Sequence, residues 1–382
     1  MKTEIKARNL IRASFCILTI MVVVLASMCF YVKKTDNMDF VRIQELMDPL
    51  HNTKISLWEY VFTDTGKELN HTLNYTYTFN LLLYLTGKYC NNQYALPWIS
   101  AIIDYVIILY MYYDWKKGQK WSCTETIVAF FVCMAFLPFI HVLSGIRAAM
   151  AACFIALAIY KFIYRNKSVI IFAIFSFLSV TVHPFTIYAI PVAILIKVSP
   201  TIKTFIIVLT GTLALVYLVP IIGRMGIPFI SGLAVKFATY TNSNQYTSYR
   251  SYFYCALLCG ILLVLYYVLF LKVRKTKDSN AESRKDKIYQ FIICYSAVLL
   301  GSFGSYDIVC RLSYVLGAFA PIIAEMVLSL RKKDQGRYVL ARVTCVLLFI
   351  LCIYGFMKHI RYYGGFFRLE NIAISTNPSL QK

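Results

Sequence analysis

The chain has 382 residues, of which 59% are hydrophobic and 15% charged, and its mean hydropathy is +0.63. A soluble domain is about half apolar and a quarter charged, so this balance excludes an ordinary water-soluble enzyme and fits a chain whose solvent is lipid. The net charge of +21, from 39 Lys and Arg against 18 Asp and Glu, arrives without any nucleic-acid motif; basic loops on the cytoplasmic side of membrane helices explain it, and they also suit anionic lipid.

The elements follow in chain order. Lys2, Lys6, Arg8 and Arg12 precede an apolar run from Phe15 to Val32. No A-x-A cleavage pattern follows, so the run is expected as a retained first span rather than a removed leader. A long segment from Lys33 to Asn92 is expected to face outward as loop. It carries Asp36 and Asp39, and Thr78–Leu85, apolar but too short to span, is expected as an interfacial or re-entrant helix. Further apolar runs fall at 93–113, 124–143, 146–164, 169–183, 185–198, 202–222, 251–271, 288–304, 311–330 and 339–357. The expectation is all-α, a single integral membrane domain of about 11 spans. The 169–183 and 185–198 segments are short and are separated by Pro184, which predicts either one broken hairpin or two tilted helices.

Basic connections at Lys116–Lys120, Arg165–Lys167, Lys197–Lys203, Lys272–Lys287 and Arg331–Arg337 all fall on the side of the basic N-terminus when the spans are counted, which places the N-terminus in the cytoplasm. Two stretches, 33–92 and 223–250, then face outward. The C-terminal tail also falls outside, although it carries Lys358, Arg361 and Arg368. The sequons at Asn70 and Asn74 are common by chance. The 12 Cys lie mostly within apolar runs with no CxxC pair or Cys/His ligand spacing, and read as small apolar fillers with no metal.

No P-loop, dinucleotide fingerprint, HExxH or GxSxG is present. The informative residues are charges set against the orientation rule. Arg147 follows His141-Val-Leu-Ser-Gly-Ile and opens a span; Arg311 begins another at the same face, and Arg250 precedes a third. An Arg sunk toward the bilayer costs about 2.5–3.5 kcal/mol on insertion scales and needs a partner or a purpose. Three guanidiniums on one face suit phosphate; the plainer reading is snorkelling. His183, just before Pro184, is the nearest residue able to move a proton near neutral pH, or else a hydrogen-bonded structural group. His141 is a weaker candidate of the same kind. Asp104 falls mid-span, where a carboxylate either serves function or pairs with an Arg.

The order of these residues resembles a known family. Ser144-Gly145-Ile146-Arg147-Ala148-Ala149-Met150-Ala151, a basic turn at Arg165–Lys167, and a span ending in His183-Pro184-Phe185-Thr186 resemble the EpsG family of Wzy-type polysaccharide polymerases. A looser likeness extends from Phe79–Leu85, with Gly87 and Asn92, to Arg311, Phe319 and Pro321. The chain departs from the family at Thr76-Tyr77 and in reading His-Pro-Phe-Thr at the helix junction. The resemblance implies polymerisation of undecaprenyl-diphosphate-linked oligosaccharide repeats at the outer face of the bacterial plasma membrane, toward a capsular, exo- or O-antigen polysaccharide. Arg147 and His183 would be catalytic, with His183 as base for the acceptor hydroxyl. Arg311, Arg250, His141 and Asp104 would bind substrate. No cofactor is implied. The partners would be the lipid-linked glycan, membrane lipids, and the flippase and chain-length regulator of the same pathway. Two other readings stay open. One is a flippase or transporter of lipid-linked glycans, for which Asp104 speaks and the absence of repeated halves does not. The other is an O-antigen ligase or related transferase, separable only by its acceptor.

Overall fold

A computed structural model describes chiefly residues 39–52, 54–63, 76–90, 94–116, 145–198, 202–222, 280–302 and 306–328, together with 30–31, 366–367 and a few isolated positions. The described elements are β1 (Phe30–Tyr31), α1 (Asp39–Asn52), α2 (Leu57–Phe62), α3 (Tyr77–Tyr89), α4 (Ala95–Trp115), α5 (Ile146–Ile159), a π-helical turn (Tyr160–Tyr164), α6 (Val169–Val182), a 3-10 turn (Pro184–Tyr188), α7 (Ala189–Val198), α8 (Ile202–Ile222), α9 (Asn280–Gly301), α10 (Tyr306–Leu328) and β2 (Phe366–Phe367).

At the centre stands α5, whose run Ala148–Cys153 is buried throughout. Four alanines in this stretch carry no bulk beyond a methyl, so neighbouring backbones approach closely. α6 returns antiparallel along it. At one end the Ser179 hydroxyl sits between the Ala151 carbonyl (2.7 Å) and the Thr186 hydroxyl (2.8 Å), donating its single proton to one of them. At the other end Phe162 stacks on Phe172, with ring centroids 4.5 Å apart. α4 and α10 pack on the other flanks of α5, and α9 closes the bundle against α7, α8 and the π turn. Where α9 crosses α8 the backbones nearly touch: a Cβ on Gly301 would fall 2.8 Å from Thr212 Cβ. This crossing needs glycine for space.

The sequence explains where α6 stops. His183 precedes a proline, and the proline ring drives the preceding residue out of the helical region. His183 is accordingly extended (φ −153, ψ 121), and a short 3-10 turn leads into α7. α6 and α7 are thus two helices joined by that turn.

The described helices carry large apolar side chains on their outer faces as well. Val169, Ile170, Ile174 and Phe177 project from α6, and Ile206 and Ile207 from α8, all exposed. Such a surface is unstable in water and is what a bilayer covers. Among the described residues Ala95–Trp115 and Ile146–Tyr164 are long and apolar enough to cross a membrane, with Val169–Val182, Pro184–Val198, Lys203–Ala214 and Arg311–Ala324 as shorter apolar helices.

The segment 33–92 corrects the sequence expectation. It is not a loop with one interfacial helix, because α1, α2 and α3 lie within it and share one core. Gly87 of α3 lies so close to α1 that a Cβ there would come within 3.0 Å of Leu50 Cβ. The Tyr84 hydroxyl donates to the Ile55 carbonyl at 2.8 Å, and Tyr60 packs on the Tyr84 ring. Contacts remote in sequence therefore replace the apolar span length that the segment lacks. A second correction falls on the first apolar run, expected as helix through Val32. Phe30 and Tyr31 are extended and pair antiparallel with Phe367 and Phe366. In such an antiparallel pair one of the two residue pairs exchanges backbone hydrogen bonds and the other does not.

Candidate functional site at the Arg147 end of the bundle

Arg147 is the second residue of α5, directly after Gly145-Ile146. This is an awkward place for a cation. The first turn of a helix carries the positive end of the macrodipole and amide groups with no partner inside the helix. Its guanidinium lies over the ring of Phe79 in α3, 5.7 Å from the centroid. The ring attracts the guanidinium through its quadrupole without cancelling its charge. Ile146 and Met150, on either side of Arg147 along α5, join Phe79, Leu83 and Val182 in one buried cluster. The α1–α3 layer is thus docked onto the Arg147 end.

The same docking brings in the end of α6. The Thr181 hydroxyl donates to the Phe177 carbonyl at 2.7 Å, which leaves the Thr78 hydroxyl of α3 as donor to Thr181 across 2.7 Å. Thr76 donates to Asn80 Oδ1 at 3.2 Å, and both are buried. His183 follows two residues after Thr181. Its Nδ1 accepts from the Phe185 amide at 3.5 Å, and the Phe185 ring stands edge-on to the imidazole, centroids 5.0 Å apart. Because Nδ1 accepts, the neutral ring carries its proton on Nε2. Serving as a base through Nδ1 would require that nitrogen to release the Phe185 amide.

Arg147 and His183, 36 positions apart in sequence, therefore lie at the same end of the α5–α6 pair, where their neighbours Ile146 and Val182 share one cluster. Arg311 is placed differently from the sequence expectation. The helix begins at Tyr306, not at Arg311. Arg311 is thus five residues inside, about 8 Å along the axis at 1.5 Å per residue. It is partly buried, next to Leu312, whose carbonyl accepts from Tyr295 of α9 at 3.2 Å. α10 does touch the Pro184–Tyr188 turn. His141 and Arg250 lie outside the described residues.

Asp104 sits in the middle of α4 and is wholly buried. Among the described residues neither carboxylate oxygen has a hydrogen-bond or ion-pair partner, and the polar group beside it is the Cys153 thiol of α5. It belongs to the interior of the bundle rather than to the Arg147 end. Ser100, one turn earlier on the same face of α4, is likewise buried without a hydrogen bond.

Three residues of this end escaped the sequence reading: Phe79 as the seat of Arg147, and Thr78 and Thr181 as the hydroxyl pair joining α3 to α6. The available signal was Tyr77-Thr78-Phe79-Asn80, where polar residues interrupt an otherwise apolar segment. Among the described residues no cluster of His, Cys, Asp and Glu could hold a metal ion.

A buried helical bundle with an apolar exterior and a cation at the mouth of its central helix defines a membrane protein with a polar site at one end. The chain belongs to the EpsG family, whose family model matches residues 12–369, nearly the whole length. This is a family of Wzy-type polysaccharide polymerase-like membrane proteins, and it places the chain in polysaccharide biosynthesis. No curated protein and no solved structure matches the chain.

Proposed function

We propose that the protein polymerises lipid-diphosphate-linked oligosaccharide repeats, of the undecaprenyl type, at the outer face of a bacterial plasma membrane that it crosses about 11 times. One observation carries this reading: Arg147 stands in the first turn of α5, where it opposes the macrodipole. An anion bound at that position would be held by dipole, first-turn amides and guanidinium together. A diphosphate is such an anion, and Arg matches its oxygens bidentately.

In the proposed reaction a sugar hydroxyl of the incoming lipid-linked repeat attacks the anomeric carbon of the growing chain. The new C–O bond forms as the bond from that carbon to the diphosphate breaks. The lipid diphosphate leaves with the bonding electrons, and the hydroxyl proton passes to a base or to the departing phosphate. No nucleotide is consumed. Arg147 stabilises the negative charge that grows on the leaving diphosphate. His183 donates its Nε2 proton to a phosphate or sugar oxygen. It takes the base role only when Nδ1 lets go of Phe185. Arg311, Arg250 and His141 are proposed to extend the binding surface for the glycan. The flippase and the chain-length regulator of the pathway are the proposed partners.

The wholly buried Asp104 favours a second reading, transport of the lipid-linked glycan, because an intramembrane carboxylate commonly marks a transport path. An assay with purified protein in nanodiscs and lipid-diphosphate-linked repeats separates the two. A product ladder without added nucleotide, lost in Arg147→Ala, supports the polymerase. Substrate crossing a bilayer with no ladder, and loss of crossing in Asp104→Asn, supports the transporter. A ladder formed only on a different acceptor supports a ligase.

A further inference from the structure

The layer of α1, α2 and α3 docked on the Arg147 end has a polar outer side with one aromatic patch in it. The exposed residues of α1 include Arg42, Glu45, Asp48 and His51, and Lys54, Ser56 and Glu59 are exposed where the chain enters and builds α2. Charges at that density do not lie against acyl chains. Yet α2 exposes Leu57, Trp58 and Phe62 among them, Trp58 to 69% and Phe62 to 50%. The outer faces of α6 and α8 differ in kind: apart from Phe177 they expose aliphatic side chains such as Val169, Ile170, Ile174, Ile206 and Ile207, with no such fringe of charge between them.

The aromatic patch is ordered by contacts. Trp58 and Phe62, one helical turn apart, have ring centroids 4.5 Å apart. Phe62 in turn stacks on Tyr77, the first residue of α3, with centroids 5.6 Å apart and 20° between the planes. Three rings thus form a row from the exposed surface of α2 to the first turn of α3. That same turn carries Phe79, the ring beneath Arg147. The row is held from behind by Tyr60, buried and packed on Tyr84. Beside it the Ser56 amide and hydroxyl both donate to Glu59 Oε2 at 2.8 Å, which fixes an exposed carboxylate next to Trp58.

Exposed rings with a fixed carboxylate, in a layer that faces water, suit a ligand that is apolar on its faces and hydroxylated at its edges. A sugar ring has that form. Its C–H groups rest on the negative face of an aromatic ring, and its hydroxyls donate to a carboxylate in charge-assisted hydrogen bonds. An acyl chain matches the rings but not the carboxylate. We propose that Trp58, Phe62 and Tyr77 form a stacking platform for the oligosaccharide of the lipid-linked substrate, with Glu59 accepting from its hydroxyls, so that the glycan lies along α2 while its diphosphate reaches Arg147. The proposal rests on the polymerase reading for the identity of this ligand.

The test uses the full chain in nanodiscs of deuterated lipid. The probe is the oligosaccharide released by mild acid from the lipid-diphosphate-linked repeats, which carries neither diphosphate nor lipid. Saturation-transfer NMR reads contact between the protein and the sugar C–H groups. Transfer is expected in wild type and in Phe177→Ala, which removes an exposed ring from the outer face of α6. Trp58→Leu and Phe62→Leu keep apolar bulk but lose the flat ring, and each is expected to weaken binding roughly 10-fold. Trp58→Tyr is expected to retain most of it. Both positions are half exposed or more, so the variants are expected to fold; if one does not, the other decides. No transfer in wild type, or binding by the Leu variants equal to wild type, overturns the platform. Unchanged sugar contact with a lowered unfolding temperature in the Leu variants also overturns it and assigns the rings to the lipid headgroup region. The product ladder, run on the same preparations, separates the two readings. A wild-type ladder without ring-dependent sugar contact refutes the platform alone, whereas ring-dependent contact without a ladder refutes the polymerase alone.

Discussion

Two arginines bracket the central helix, and they live in opposite circumstances. Arg165 follows the C-terminal end of the α5 and π-turn helix, where the macrodipole favours a cation, and Asp114 grips it through both carboxylate oxygens while Tyr160 adds a hydrogen bond at 2.9 Å. Arg147 stands at the N-terminal end, where the dipole opposes a cation, and rests on an aromatic face. One position is favourable for folding; at the other, helix dipole and guanidinium together suit an anion. The same residue type is structural at one end and a candidate for chemistry at the other, and the helix direction decides which.

Replacing the arginine at each end gives the sharpest test. Arg147→Lys keeps the charge but loses the bidentate grip, and activity is expected to fall at least about 100-fold in the polymerisation assay, the scale of losing one charge-stabilising donor. Its unfolding temperature is expected to match wild type. A large fall in stability there would dissolve the contrast.

At the other end Arg165→Ala is expected to lower stability by about 1–2 kcal/mol, less than the cost of breaking a fully buried pair because Arg165 is partly exposed. Activity per folded molecule should be unchanged. Thermal unfolding in detergent, with Asp114→Asn and the double variant completing a cycle, measures the coupling.

The docking of α3 onto α6 is probed by Thr181→Val, which removes the acceptor for Thr78 and the bond to the Phe177 carbonyl. A loss of about 1 kcal/mol is expected. Activity is expected to fall further than stability alone explains, because the 2.7 Å Thr78–Thr181 contact helps seat Phe79 under Arg147.

The smallest effect concerns α2. Its capping box pairs Ser56 and Glu59, and the hydrogen bond from the Ser56 amide holds the Glu59 carboxyl below its usual range. A lowered folded value means the contribution is present above the ordinary glutamate pKa, near about 4.3, and is lost as the pH falls through the lowered one. In a variant retaining only Trp58, fluorescence should change in that acidic window, and Glu59→Gln should abolish the pH dependence.

Much of this protein is written in its one-dimensional pattern. The run 202–222 appears as α8 with the same bounds, Ile146 opens α5 as expected, and α4 is displaced by two residues from the 93–113 run. Long apolar stretches declare themselves because lipid leaves the backbone no option but internal hydrogen bonding. The Pro184 break was legible for a local steric reason. Arg147 and His183 stood out because charge and proton chemistry are rare in such stretches.

The rest needed the fold. The helices of 39–90 are too short and too mixed to span; what orders them is mutual burial, with Gly87 against Leu50 and Tyr84 reaching Ile55. The π turn at Tyr160–Tyr164 accompanies Tyr160 and Arg165 meeting Asp114, a partner some fifty residues earlier in the chain. Sequence alone determined that the chain is a helical membrane protein and named its unusual charges, because composition and period report directly on solvent and on backbone hydrogen bonding. Only tertiary structure decided that Arg165 meets Asp114 and that Arg147 sits on Phe79, because that depends on helix direction and on neighbours distant in sequence.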